Sequence, residues 1–356
     1  MAYSLTSAAN PKALLAEIVT FAAAQGWTTE YNHADGSGSS VGGQIALTSG
    51  NCHIAIGEQS ATQNPIAVTG GNDARIYMAL ATAIVPATIQ FWGHTGSIVT
   101  TATDTDRVIV NDIAGPMDEV HFFGDSTYIT VAIKSAAQRW TTFSFGNLNM
   151  KGMASPASGY CWGSYHEWWN IDALSTTNRY YNVTLGSPND LMPNSVAVEG
   201  GGLSLMIPAT LLDSAYGFTA TAHVITKRST NKPLGMTYFV TRVEEGEGDN
   251  GAASTLLDHV TQIRPQSTTG GIPLFAFPMI YLNPTVDLTS YIGELPGIRA
   301  CRTTMNSPGD IITYGVEEYF VAPWKQFGTL YDSGNTGGLY NGQPNTYDLA
   351  WAILKD

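Results

Sequence analysis

Charge is scarce in this chain. Of its 356 residues, 13% are Asp, Glu, Lys or Arg, about half the ~25% of an ordinary soluble domain. The charges present are mostly acidic, 29 against 16, for a formal net charge of −13. Nucleic-acid binding relies on Lys and Arg laid along phosphates, so this balance disfavours DNA or RNA as a partner. Cysteine is scarcer still: Cys52, Cys161 and Cys301 stand far apart, with no Cys-x-x-Cys spacing. That excludes a disulfide framework and fits thiols kept reduced in a cytosol. Long apolar runs are missing too. The longest, residues 77–85, stops at Pro86 and is too short to span a bilayer. The first residues, Met1-Ala2-Tyr3-Ser4-Leu5, lack the basic stretch and apolar run of a secretion signal. No fixed-period repeat is visible, which excludes solenoids and propellers.

Motifs that carry chemistry are equally thin. His166-Glu167-Trp168-Trp169-Asn170 begins like a zinc-protease helix, but Asn170 stands where the second histidine ligand belongs. The remaining histidines, His33, His53, His94, His121, His223 and His259, are scattered singly and read as hydrogen-bonded structural residues. Gly200-Gly201-Gly202 is followed by no Lys-Ser/Thr, so it is not a phosphate loop. The acidic turn from Glu244 to Asn250 offers oxygens to Ca²⁺ but lacks the EF-hand order. A solvated hairpin tip is the simpler reading. Asp104, Asp106 and Asp112 would serve a hydrolase only if two carboxyls stood ~5–9.5 Å apart in a cleft, and nothing in the sequence sets that distance. The expectation is a protein without catalytic, cofactor or metal residues, and not an enzyme.

What fills the chain instead is 44% hydrophobic residues, 37 Gly, and many Thr, Ser and Asn, a composition suited to strands and tight turns. Asn10-Pro11 is a helix start, with Asn as N-cap and Pro at the first helical position. Leu14, Leu15, Ile18, Val19 and Ala22 follow at helical spacing, and Gly26 is the stop. Strands are expected at residues 44–47, 53–56, 75–84, 88–92 and 107–111, then at 195–208 as a pair, 219–226, 235–243, 274–282, 311–322 and 349–354. The segment from Asp118 to Met150 reads as a hairpin. On its first strand Tyr128, Thr130 and Ala132 alternate with Ile129, Val131 and Ile133, and Phe143 and Phe145 repeat the period of two on the second. The fold class is β-dominated α+β: antiparallel sandwich-like or barrel-like sheets with one N-terminal helix. Two domains are expected, 1–150 and 151–356, the second with Gly-rich loops and a C-terminal arm at residues 332–345.

Trp162, Tyr165, Trp168 and Trp169 crowd beside Ser164, His166 and Asn170. Flat aromatics next to polar groups stack on sugars, anchor protein interfaces, or fill a core. Trp162, Trp168, Trp169, Tyr319, Trp324 and Trp351 are the expected interface or core anchors.

His121-Phe122-Phe123-Gly124-Asp125, Tyr128-Ile129, Val131 and Phe143-Ser144-Phe145-Gly146 resemble a pattern of tailed-bacteriophage virion structural proteins. So do the run from Ile292 to Arg299, Gly309-Asp310-Ile311-Ile312, the run from Tyr319 to Trp324, and Leu349-Ala350-Trp351-Ala352-Ile353. The resemblance spans roughly residues 118–354. It implies a particle component of the tail or neck, located in the virion and made in the host cytoplasm. Its partners would be copies of itself, in a ring of threefold, sixfold or twelvefold symmetry, and neighbouring tail or neck proteins. It supplies no catalytic residue. Two other functions stay open: a baseplate or tail-tip protein that binds glycan receptors through the Trp162–Trp169 cluster, and a polysaccharide hydrolase.

Overall fold

A computed structural model describes residues 1–38, 42–59, 75–97, 108–110, 113, 115–136, 139–147, 149–150, 159–165, 181–182, 202–208, 223–225, 227–228, 236–238, 275–283, 288–302, 306–323 and 349–356. Among these residues the fold is β-dominated, with antiparallel sheets and one N-terminal helix. The elements are β1 (Ala2–Ala8), α1 (Pro11–Ala24), β2 (Thr28–His33), β3 (Gln44–Ser49), β4 (Cys52–Gln59), β5 (Arg75–Ala81), β6 (Val108–Val110), β7 (Met117–Gly124), β8 (Tyr128–Ala136), β9 (Arg139–Asn147) and β10 (Asn149–Met150). They continue with β11 (Gly159–Tyr165), β12 (Tyr181–Asn182), β13 (Gly202–Pro208), β14 (His223–Ile225), β15 (Lys227–Arg228), β16 (Met236–Tyr238), β17 (Phe275–Asn283), β18 (Leu288–Arg302), β19 (Ile311–Tyr314), β20 (Glu317–Pro323) and β21 (Leu349–Leu354).

The helix forms where its local signals place it. Asn10 is extended, and its side-chain oxygen accepts the Ala13 N–H at 3.0 Å. Pro11 opens the first turn, and Gly26 closes the end at φ +84°. Leu14, Leu15, Ile18, Phe21 and Ala22 are buried, and Phe21 stacks on Phe122 of β7 with centroids 5.2 Å apart.

Among the described residues there are four sheets, of which β12 and β15 form a separate pair and the other three stack. The first runs β2-β3-β4-β5-β6, and the middle one β1-β7-β8-β9-β11-β13-β14. The third runs β16-β17-β18-β21-β20-β19, with β10 also paired to β18. A single large core joins the first sheet, α1 and one face of the middle sheet. Ile45, Leu47, Ile54, Ile56, Met78 and Leu80 meet Val120, Phe122, Ile129, Val131, Ile133, Phe143 and Phe145 there. The other face of the middle sheet is covered by the third sheet, so Tyr128 to Ile133 are buried without interruption.

Several expectations change. The run expected as one strand before the polar turn is two, β7 and β8, so the hairpin is a three-stranded meander. The chain reverses at residues 124–128 because the Asp125 side chain accepts the Thr127 N–H at 2.7 Å, an Asx-type turn that local polar chemistry favours. The strand expected at residues 88–92 is irregular instead. Phe91 stacks on Tyr77 (5.4 Å, 20°) as a plug on the outer face of the first sheet, and the Tyr31 hydroxyl donates to the Gln90 carbonyl at 2.6 Å. The run 311–322 splits at Gly315 (φ +67°) into β19 and β20. The middle sheet also passes straight across residue 150, since β9 pairs with β11 and β11 with β13.

Candidate functional site

The seam between the middle and third sheets brings together two of the aromatic residues the sequence singled out. Trp162 of β11 and Trp351 of β21 are both fully buried and stack on each other, with centroids 4.8 Å apart and planes at 28°. Tyr319 is buried in a small cluster with Ile312, Val321 and Ala352 on the other face of the third sheet, and its hydroxyl donates to Glu317 at 2.7 Å. Trp168, Trp169 and Trp324 lie outside the described residues, as do His166, Glu167, Asp104, Asp106, Asp112, the acidic turn 244–250 and the arm 332–345. With Trp162 at 0% exposure, that member of the aromatic cluster has no face left for a sugar.

Register explains why these side chains meet. Thr130 lies opposite Ser144, and Ser144 opposite Trp162, which sets one row across β8, β9 and β11 on the seam side. The row carries a buried polar chain. Ser144 donates its single proton to the Ile129 carbonyl at 3.0 Å. Thr130 and Tyr160 therefore donate to the Ser144 oxygen, each at 2.9 Å. Burial pushes the Tyr160 phenol well above its ordinary range and so keeps it a donor.

The neighbouring row is Tyr128-Gly146-Tyr160. Tyr128 lies over Gly146, where a Cβ would press on the Tyr128 Cβ at 2.6 Å. Its hydroxyl donates to the Met1 sulfur. The far end of the ring sits against Gly297 of β18, whose absent side chain leaves the space that ring occupies. Two glycines from different sheets thus form a slot for one tyrosine. Both lie in segments that carry the resemblance to virion structural proteins, Gly146 after Phe145 and Gly297 in the run from Ile292 to Arg299.

His121 is the second centre of the seam. Its ring is surrounded by Tyr3 of β1, Phe123, Trp140 of β9 and Phe320 of β20, with the Phe320 centroid at 4.5 Å. Tyr3 lies 3.1 Å from Nδ1, and the Glu119 carboxylate 3.2 Å from Nε2. Tyr3 therefore donates to Nδ1, while Nε2–H donates to Glu119. Lys134 bridges to the same carboxylate at 2.5 Å and holds Glu119 below the usual carboxylate range. In the sequence His121 reads as one more isolated histidine; the third sheet, laid on the middle one through Phe320, completes this box.

His94 is buried as well. Its Nδ1 accepts the Val85 N–H at 3.2 Å, and its Nε2 lies 3.2 Å from the Tyr31 hydroxyl. Burial lowers both His94 and His121 from the ordinary 6.5, outweighing the Glu119 contribution that raises His121. The unfolded chain takes up these protons first as pH falls. Stability that is complete above about pH 6.5 is therefore lost progressively below it. Urea unfolding at about pH 7.5 and about pH 5 is expected to show a lower midpoint at the acid value. Equal midpoints would refute the burial of both rings.

Cys52 and Cys161 are buried thiols, and burial raises both. Among the described residues no group of three or more His, Cys, Asp or Glu is placed to hold a metal ion. No helix among them is long and apolar enough to cross a membrane. Compared with known proteins, the chain matches no protein-family model and no curated sequence.

Proposed function

We propose that this chain is a structural subunit of a tailed-bacteriophage virion, a ring component of the tail or neck that works by self-assembly. One observation carries the assembly part of this reading: among the described residues, the exposed large hydrophobic side chains sit on strands at the edges of sheets. They are Met1 and Leu5 at β1, and Ile311, Tyr314 and Val316 on β19 and the β19–β20 turn. An open edge presents unpaired N–H and C=O groups, and natural sequences usually block it with charge or proline. The strands Ala-Tyr-Ser-Leu-Thr-Ser-Ala and Ile-Ile-Thr-Tyr carry neither. The phage part rests on the resemblance of residues 118–354 to virion structural proteins.

The body suits that role. Both faces of its middle sheet are spent on internal packing, so rigid layers present their edges to neighbours. A stable contact buries ~1,600 Å², and apolar edges supply the part of it that excludes water. Native mass spectrometry of the purified full chain tests the reading. Closed oligomers, seen as rings by negative-stain electron microscopy, are the expected result; a monomer at every concentration would overturn it.

A further inference from the structure

Gln44 opens β3 on the outer face of the first sheet. It is 0% exposed, and among the described residues neither its amide oxygen nor its amide nitrogen has a hydrogen-bond partner. Buried side-chain amides are normally paired, and an unpaired one destabilises the fold that holds it. Register shows what it faces. Gln44 lies opposite Gly57, and Gly57 opposite Tyr77, so the three share one row. A Cβ at Gly57 would stand 2.5 Å from Gln44 Oε1, 2.8 Å from its Nε2 and 2.6 Å from Phe91 Cδ1. The absent side chain thus lets the Gln44 amide and the Phe91 ring meet over Gly57. Phe91 also stacks on Tyr77, with planes at 20°. Its segment has no ladder of its own and is closed at the base. There the Thr82 and Ala83 N–H groups donate to the Thr95 carbonyl at 2.9 and 3.4 Å, and the Val85 N–H to His94 at 3.2 Å.

We infer that Phe91 occupies a binding site for a small planar cyclic amide, a ring of the pyrimidinedione or purinone kind. The phenyl stacks on Tyr77 and brings Cδ1 beside the Gln44 amide, but its C–H edge gives that amide neither a donor nor an acceptor. A cyclic amide carries an N–H next to a C=O, the complement of Gln44 Oε1 and Nε2–H. Its flat face stacks on Tyr77 as the phenyl does. In the place of Phe91 such a ring pairs both atoms that the phenyl leaves unpaired. The amide also sets the charge of the ligand: a carboxylate only accepts, so it would leave Gln44 Oε1 without a donor. Phe91 is then a built-in plug that the ligand displaces, with the segment swinging on its closed base.

The test uses the full chain and calorimetric titration. The probe is uracil, and the control is its doubly N-methylated form, which has nearly the same shape and no N–H. The wild type is expected to bind uracil weakly, because Phe91 must first leave. Phe91→Ala is expected to bind it about tenfold or more tightly, the plug being gone. The methylated form is expected to bind Phe91→Ala about tenfold or more weakly than uracil does, since it leaves the Gln44 oxygen unpaired. Adding Gln44→Met to Phe91→Ala is expected to abolish the difference between the two ligands. Phe91→Leu, a smaller change to the apolar cover, is the second opened variant and is expected to follow the same order. Gln44→Met alone is expected to raise the urea midpoint of the unliganded chain, by removing an unpaired amide at nearly constant volume. Uracil bound by neither Phe91 variant, or bound no better than its methylated form, overturns the site. A Gln44→Met midpoint that does not rise shows the amide to be satisfied within the fold and overturns it as well.

Discussion

Gly297→Val is expected to detach the third sheet from the middle one. Gly297 adopts φ +65°, in the left-handed region, which costs a residue with a side chain about 1–2 kcal/mol. A Cβ there would also overlap the Tyr128 hydroxyl and ring. Tyr128 cannot retreat, because it is buried and lies over Gly146. Overpacking of this kind adds about 1–3 kcal/mol. The sum, about 2–5 kcal/mol, is a large share of the 5–15 kcal/mol that holds a typical domain. Equilibrium urea unfolding measures it. The cause is isolated by Gly297→Ala in a Tyr128→Ala background: the overlap term vanishes while the backbone term stays, so the two substitutions are strongly non-additive. Full additivity would show that Tyr128 and Gly297 do not touch.

Trp162→Ala and Trp351→Ala are each expected to cost about 3–5 kcal/mol, the range for emptying a buried tryptophan site. Each indole is fully buried and is the other's stacking partner. Removing the second after the first therefore costs less than removing it alone. Trp162→Phe behaves differently. Among the described residues the buried Trp162 indole N–H has no hydrogen-bond partner, an arrangement that itself costs about 1–3 kcal/mol. Phenylalanine removes that cost while leaving a smaller void, so this variant is expected to lose far less stability than Trp162→Ala. The tryptophan region of the near-UV circular dichroism spectrum should weaken on either alanine substitution, since the coupled Trp162–Trp351 pair is lost. A variant of Trp162 or Trp351 to alanine with wild-type stability would contradict the stacked seam.

These two predictions lie where the sequence is least explicit. Trp162 and Trp351 were visible as anchors, but nothing local says that they meet, since the pairing is made by strands of different sheets. The period of two in Tyr128 to Ile133 was readable, yet its even positions, Tyr128, Thr130 and Ala132, look like a solvent face. They are buried because a third layer covers them. The strand expected at residues 88–92 shows the converse error: aromatic and β-branched composition describes a fit to a half-buried surface, and Phe91 meets that description as a plug. β1 escaped notice because Ala-Tyr-Ser-Leu-Thr-Ser-Ala shows little amphipathic contrast, and its pairing with β7 is non-local.

Read from residues alone, the chain announces its helix, most of its described strands and its β-dominated class. Caps, turn residues and hydrophobic period all act within a few positions, and local forces suffice to place them. The stacking order of the three sheets was settled elsewhere. So were the glycine slot around Tyr128, the aromatic box around His121, and the choice of which edges stay open. Each depends on contacts between segments far apart in sequence, whose closure is driven by buried area and shape rather than by any local signal.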